Sequence, residues 1–318
     1  MTMPVLRVEH LSRSFLVGRA GAGRRELKAV DDVSFEIGPA ETLGVVGESG
    51  CGKTTVARMI LKLLPATGGR IELEGRDVTD LDERAMRPLR KSMHAVFQDP
   101  LSSLNPRLRV RDIVAEPLRS QGTGRHAIAE RVREILGVVG LSAEAGERFP
   151  HAFSGGQRQR IAIARALAAA PRFVVCDEAT SALDVSVQAQ ILNLLADLRQ
   201  RFGLSLLFIS HNLGAVRHLS HRVAVMYLGR IVEVGPERDI FDRPAHPYTI
   251  ALLAAVPEPV IDQPAVAPLT GEIPSAFDRP SGCHFHPRCP KAQPTCRAED
   301  PPLRPRRDGH LVRCHFPE

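Results

Sequence analysis

The 318-residue sequence has no tryptophan and only two tyrosines, and aromatic residues make up 4% of it. A protein that stacks single-stranded nucleic acid on aromatic rings would need more of them. The net charge of +6 comes from charges of both signs spread along the chain rather than from a basic arm. We therefore expect no nucleic-acid partner.

Long apolar runs are also missing. No stretch reaches the roughly 18 apolar residues that a membrane-spanning helix needs. Arg7 and Glu9 interrupt the opening segment, where a secretion signal needs an apolar run. These absences predict a cytosolic protein. In a reducing compartment, the six cysteines are more typical of metal binding than of disulfide bonds.

Short apolar segments alternate with helical patterns along much of the chain. Strands are predicted at residues 43–46 and in the segments RFVVCDEAT, LSLLFISHN and RVAVMYLGR. This alternation predicts an α/β fold with a mostly parallel sheet. Residues from about 99 to 165 predict an inserted helical subdomain. We place a domain boundary after residue 234, so that residues 1–234 form the main domain and residues 235–318 form an appendage with one short helix and no core of its own.

The segment GESGCGKT, residues 47–54, lies between a predicted strand and a predicted helix and matches the phosphate-binding motif G-x-x-x-x-G-K-[ST]. Its glycines let backbone N–H groups surround phosphate oxygens, and the helix N-terminus adds its positive dipole end. Lys53 can neutralise the β- and γ-phosphates of a nucleotide, and the Thr54 hydroxyl can bind magnesium. The predicted nucleotide-binding residues here are Gly47, Glu48, Ser49, Gly50, Cys51, Gly52, Lys53, Thr54 and Thr55.

Two further motifs suit phosphate chemistry. The apolar strand FVVCDE ends in Asp177, placed to bind magnesium, and Glu178, suited to orient or deprotonate an attacking water. The segment FSGGQRQR forms a second anion-binding turn at a predicted helix start, with candidate residues Ser154, Gly155, Gly156 and Gln157. One nucleotide does not need both loops of one chain. We therefore expect two subunits to face each other. The serine loop of each subunit, residues 154–157, would close on the nucleotide held by the lysine loop, residues 47–54, of the other subunit.

In this order the motifs resemble those of the ATPase subunits of ABC transporters, over almost the whole chain. The resemblance implies that Gln98 in VFQDP senses magnesium and the membrane partner, and that His211 in FISHN contacts the γ-phosphate. It also implies that Asp184 ends the D-loop. Phe15 falls where an aromatic ring stacks on adenine, with a core position as the alternative. The implied catalytic residues are Lys53, Gln98, Glu178 and His211, and the implied magnesium ligands are Thr54, Gln98 and Asp177.

Within that family, the segments QDPLSSLNPRLRV, FPHAFSGGQRQRIAIARAL and HPYTIALLAAVP resemble the ATPases of oligopeptide and dipeptide importers. The resemblance implies an ATP-hydrolysing subunit that energises peptide import from the cytoplasmic face of the inner membrane. It implies a second ATPase subunit, two membrane permeases and an extracytoplasmic solute-binding protein. A heterodimer of ATPases is typical of the subfamily, and a homodimer stays open. The alternatives are an importer for nickel or another small solute, and a soluble ABC-type ATPase acting on DNA or ribosomes.

Four of the six cysteines lie in the appendage, with the spacing C-x5-C-x6-C-x17-C: Cys283, Cys289, Cys296 and Cys314. Zinc sites usually pair their cysteines more closely, whereas four cysteines are the full ligand set of a [4Fe–4S] cluster. Neighbouring histidines could replace some of them, so zinc and metal-free thiols stay open. The importer resemblance implies a structural iron–sulfur cluster. Cys51 and Cys176 are predicted to be small buried residues.

Overall fold

The structure is a computed structural model that describes residues 3–18, 24–99, 103–255 and 271–318. Strands β1 to β12 are Leu6–Val17, Arg25–Ile37, Thr42–Val46, Gly68–Leu73, Arg76–Asp77, Met93–Val96, Phe173–Asp177, Ser205–Ile209, Arg222–Tyr227, Arg230–Pro236, Arg304–Arg307 and His310–Val312. Helices α1 to α10 are Lys53–Ile60, Glu83–Met86, Val110–Ser120, Arg125–Val138, Gly155–Ala168, Val185–Phe202, Leu213–Leu219, Glu237–Asp242, Pro247–Ala254 and Pro294–Ala298. Within these described ranges, no helix is both long enough and apolar enough to cross a membrane.

The chain divides into two compact units. The first contains Met1–Leu6, Glu36–Thr42 and Glu72–Ser210, and the second contains Arg7–Phe35, Leu43–Ile71 and His211–Glu318. This division follows packing rather than the predicted boundary after residue 234, which stays a prediction.

Strands β6, β7 and β8 of the first unit lie side by side and parallel. Every residue of β7 and of β8 is buried. Their sequences are nearly continuous apolar runs because a parallel strand covered on both faces has no side that faces water. Strands β7 and β8 were predicted from the sequence, and the structure confirms them, whereas β6 was not predicted.

Helices α3, α4 and α5 of the first unit pack against one another. Helix α3 buries Ile113, Val114 and Leu118, and helix α4 buries Val132 and Leu136. Residues spaced by three or four positions share one face of a helix, so each helix turns an apolar stripe towards its neighbours. The predicted helical segment is therefore present, and its limits near residues 99 and 165 stay a prediction.

Strands β3 and β9 of the second unit are parallel, and β10 returns antiparallel to β9. Strand β12, from the end of the chain, pairs antiparallel with β10, and β11 pairs with β12. The C-terminal tail, residues 271–318, therefore extends the sheet that contains β9 and β10, and its residues Phe285 and Val312 are buried. The tail is ordered by packing on this sheet, and the expectation that the appendage has no core of its own stays a prediction. The first part of the appendage holds two short helices, α8 and α9, instead of one.

The side chain of Glu233 holds the tail to this sheet from inside. One carboxylate oxygen accepts the backbone N–H of Ala245 at 2.7 Å, and the other accepts that of His246 at 3.0 Å. Nε2 of His310, in β12, donates to the same carboxylate at 2.8 Å. Both Glu233 and His310 are fully buried. Since buried polar groups need partners, this carboxylate fixes β10, the start of α9 and β12 relative to one another.

We predict that Glu233→Ala lowers the free energy of unfolding by on the order of 3 kcal/mol, because it leaves three buried donors without their acceptor. Chemical denaturation measures the loss. The control is Asp242→Ala, which breaks the exposed ion pair with Arg217. Such a pair contributes less than about 1 kcal/mol. Equal losses in the two variants would contradict a central role for Glu233.

Candidate functional site

Residues 47–52 form a loop between β3 and α1 in the second unit. Gly47 and Gly52 have φ angles of 150° and 107°, a left-handed backbone region that side chains disfavour. A Cβ atom at Gly47 would overlap the carbonyl oxygen of Met226, and one at Gly52 would overlap that of Ala29. The loop can therefore follow this path only with glycine at both positions.

Lys53 is the first residue of α1, and its side chain turns back into the loop. Its Nζ donates to the carbonyl oxygens of Gly47 at 2.7 Å and Glu48 at 3.0 Å, and the residue is 6% exposed. A phosphate oxygen is a stronger acceptor for an ammonium group than a carbonyl oxygen is. Lys53 can therefore exchange these bonds for bonds to a phosphate. Ser49 and Gly50 lie exposed at the loop tip.

Two side chains that the sequence analysis did not single out contact this loop. The hydroxyl of Tyr248 accepts the backbone N–H of Glu48 at 2.9 Å. The guanidinium group of Arg288 donates to both carboxylate oxygens of Glu48, at 2.8 and 2.9 Å. Both residues belong to the C-terminal part of the chain, and Arg288 is 240 positions from Glu48. No local sequence signal could have connected them.

The remaining candidates of the second unit lie at the surface or close to it. His211 is exposed and directly precedes Asn212, whose side chain caps α7 by accepting the N–H of Ala215. Phe15 lies in β1 and is partly exposed, with the guanidinium group of Arg13 4.7 Å from its ring centre. The ring of Phe15 is therefore not a core side chain, and its contact with adenine stays a prediction.

Asp177 and Glu178 lie where β7 ends, in the first unit. Asp177 is buried, and Glu178 has a φ of 51°, which is uncommon for a residue other than glycine. The N–H of Glu178 donates to the carbonyl oxygen of Ile209 at 2.9 Å, and the Ser181 hydroxyl donates to the carbonyl oxygen of Glu178 at 2.9 Å. Such backbone strain costs about 1–3 kcal/mol and collects at functional sites. Glu178 is thus held in one conformation by its neighbours.

The serine loop of the first unit begins α5 with a capping box. The Ser154 hydroxyl accepts the N–H of Gln157, and the Gln157 side chain accepts the N–H of Ser154. Phe153 is buried just before the loop, while Ser154 is exposed. A Cβ atom at Gly156 would overlap Val187 of α6. The structure thus brings the serine loop close to the start of α6.

Two other candidates of the first unit are exposed. Asp184 is the N-cap residue of α6, so it lies near the serine loop. Gln98 lies two positions after β6. The structure therefore presents both side chains to solvent, where a ligand or another protein could reach them.

The two cysteines outside the tail are buried, as predicted. Cys51 is 4% exposed and Cys176 is fully buried. Burial raises the pKa of Cys51, and it raises the pKa of Cys176 to about 12. Burial thus disfavours the thiolate form of both residues, which is the form that acts as a nucleophile.

The four tail cysteines line one small cavity of the second unit, together with Phe285 and His286. Burial raises the pKa of Cys283 to about 11, and it also raises the pKa values of Cys289 and Cys314. A metal would therefore have to displace protons from these thiols. Across the described part of the chain, no group of three or more His, Cys, Asp or Glu side chains has the arrangement needed to hold a metal ion. The geometry does not support the predicted cluster, which stays a prediction.

Comparison with known proteins identifies the family. Residues 30–181 match the model of the ABC transporter family, and residues 232–296 match that of the oligopeptide/dipeptide transporter C-terminal region. The chain is 51% identical over 99% of its length to a probable peptide ABC transporter ATP-binding protein of Sinorhizobium fredii, of which it covers 90%. The chain belongs to the ATP-binding proteins of ABC transporters. A Brucella abortus relative, whose name includes "peptide import ATP-binding protein", is 51% identical over 98% of this chain and 94% of its own length.

Solved structures agree with this assignment. CbiO1 from Clostridium perfringens, part of an ABC transporter complex, matches 76% of this chain and 91% of its own, with a TM-score of 0.66 and 25% identity. A dimeric ATP-binding cassette in a post-hydrolysis state bound to ADP and Pi matches 73% of this chain and 99% of its own, with a TM-score of 0.65 and 26% identity. The predicted α/β ATPase fold is confirmed, and the chain is an ATPase coupled to transport.

Proposed function

We propose that this ATPase drives the import of oligopeptides or dipeptides through a membrane transporter. The observation that carries the proposal is the match of the whole chain to two relatives named for peptide transport or import, together with the C-terminal region typical of such transporters. The appendage matters here because it lies outside the part that matches ABC transporters in general. The two matched regions also support a division of the chain near residue 234.

ATP binds with its phosphates on the loop of residues 47–52, where Lys53 exchanges its carbonyl partners for phosphate oxygens. Thr54, Gln98 and Asp177 would hold a magnesium ion, which would neutralise charge on the phosphates, and His211 would contact the γ-phosphate. Phosphoryl transfer depends mostly on positioning and on stabilising charge, which fits a lysine and glycines held as rigidly as these. Glu178 orients and deprotonates the attacking water. Its fixed backbone and its place after a buried strand support that role.

A second ATPase subunit completes each site. Its serine loop, with the residues Ser154, Gly155, Gly156 and Gln157, faces the nucleotide, and Asp184 lies at the same interface. The exposure of Ser154 and Asp184 supports this role, because both can be reached by another chain. The similarity to a dimeric cassette bound to ADP and Pi supports it as well. The partner is a related ATPase subunit, with a second copy of this chain as the alternative.

Transport requires further subunits. Two permeases supply the path through the membrane, and a solute-binding protein delivers the peptide from outside. The ATPase is held at the cytoplasmic face of the membrane through the permeases, with Gln98 transmitting contact with them. Membership in a transporter family supports this assembly.

Glu178→Gln is predicted to keep ATP binding and to lower turnover at least about 100-fold, since it removes the base that acts on water. The variant should accumulate as an ATP-bound dimer, which light scattering with and without ATP detects. Lys53→Ala should lose ATP binding. Glu144→Gln, at an exposed position of the first unit, is the matched control and should hydrolyse ATP normally. Undiminished turnover by the Glu178→Gln variant would refute the assignment.

The tail cysteines hold a [4Fe–4S] cluster in this proposal, with Cys283, Cys289, Cys296 and Cys314 as its ligands. All four cysteines line one small cavity, which supports their binding one common group, with a single zinc ion as the alternative. The group would act as a structural link among the loops of the tail and would take no part in ATP hydrolysis.

Iron, sulfide and zinc analysis of protein purified without oxygen tests this cluster. We expect about four irons and four sulfides for each chain. Cys289→Ser should lower the iron content, while Cys51→Ala should keep it, because Cys51 lies outside the tail. Stoichiometric zinc without iron, or no metal at all, would contradict the cluster.

A further inference from the structure

The C-terminal tail contacts the loop of residues 47–52, the phosphate loop, through a partly buried ion pair between Arg288 and Glu48. Arg288 lies in a short turn between Cys283 and Cys289 and is 7% exposed. Its two bonds to Glu48 form the parallel, two-point pairing that fixes a carboxylate in both position and orientation. An arginine guanidinium group is charged in proteins and offers donors in a fixed fork, which matches the two carboxylate oxygens of Glu48. The pair therefore holds one defined geometry at the second residue of the loop.

An aromatic cluster holds the same residue from its backbone side. Tyr248, which accepts the N–H of Glu48, is fully buried, and its ring centre lies 4.7 Å from that of Tyr227 and 5.5 Å from that of Phe285. Phe285 belongs to the same tail turn as Arg288. Burial raises the pKa of Tyr248, so its hydroxyl stays neutral and available as an acceptor. Glu48 is thus held at its side chain and its main chain by one group of packed residues.

The point of contact is the part of the loop that binds Lys53. The ammonium group of Lys53 is bonded to the carbonyl oxygens of Gly47 and Glu48, the same two residues whose joining peptide carries the N–H held by Tyr248. A shift of Glu48 would therefore move two acceptors of Lys53 and the start of the loop. The contact touches the loop but leaves the exposed tip at Ser49 and Gly50 clear for a ligand.

Several contacts besides this ion pair hold the tail to the rest of the second unit. Strand pairing between β10 and β12 and the carboxylate of Glu233 already hold it. Arg279 adds a bond to Asp31 at 2.7 Å, and Arg313 lies 3.3 Å from Asp32. With so many other contacts, losing the Arg288 pair should leave the tail folded. Loss of the pair should instead change the shape of the phosphate loop.

We infer that Arg288 and Tyr248 are positioning residues for ATP: through Glu48, the C-terminal tail sets the shape of the phosphate loop and hence its affinity for nucleotide. This inference rests on the proposed binding of ATP phosphates at residues 47–52. It assigns the tail a role in nucleotide binding that does not require any metal to be bound there.

Titration calorimetry with Mg-ATP on the full chain tests the inference, alongside ATPase kinetics. Arg288→Met should weaken ATP binding about tenfold, as expected for loss of a charged hydrogen bond. The KM for ATP should rise, and kcat at saturating ATP should stay close to that of the unchanged chain. Arg288→Lys should bind ATP more tightly than Arg288→Met does, because lysine keeps the positive charge but cannot donate to both carboxylate oxygens in parallel. Tyr248→Phe, which keeps the aromatic packing and removes only one acceptor, should weaken binding a few-fold.

Arg297→Met is the matched control, because Arg297 is an exposed arginine of the same tail, and it should bind ATP normally. A double-mutant cycle with Glu48→Gln should show strong non-additivity with Arg288→Met. ATP affinity unchanged in both Arg288→Met and Tyr248→Phe would overturn the inference, while loss of binding in Lys53→Ala would leave the proposed function intact. If the unchanged chain binds no ATP, both fail together.

Discussion

The path of the phosphate loop is the constraint on which the rest of this chain's chemistry depends. Glycines stand where a Cβ atom would overlap a neighbouring carbonyl oxygen, and the Lys53 ammonium group is held by the loop's own carbonyls. The parallel strands β3 and β9 fix one end of the loop, and α1 fixes the other. A loop whose backbone path is constrained in this way can receive phosphates with little change of that backbone, which is how a site gains from positioning.

The candidate residues of the first unit are also held in place by the packed elements next to them. A fully buried strand ends at Asp177, and hydrogen bonds with Ile209 and Ser181 fix the unusual backbone of Glu178. The capping box holds the serine loop at the start of α5. In each case, polar groups that could bind or act on ATP project from the end of a well-packed element. The packing of β7 and α5 therefore fixes the positions of Asp177, Glu178 and the serine loop.

Motifs near one another in sequence were predictable, because a strand, a glycine-rich turn and a helix start are coded locally. The strand at 43–46, the loop with Lys53 and the helix start at Ser154 all follow from such patterns. The contacts of Glu48 with Arg288 and Tyr248 were not predictable, since they join distant parts of the chain through packing alone. Strand β12 was missed because three residues carry too little periodicity to be recognised. The left-handed backbone of Glu178 also has no sequence signal, since glutamate rarely adopts it.

Reconstituting the chain with its permeases in vesicles, adding the solute-binding protein and peptide outside, and following ATP hydrolysis together with peptide uptake tests the central claim most directly. The account predicts that peptide stimulates hydrolysis and that peptide accumulates only when ATP is present on the ATPase side. An ATP hydrolysis rate that peptide does not change, together with uptake of nickel or another small solute, would contradict the claim of peptide import.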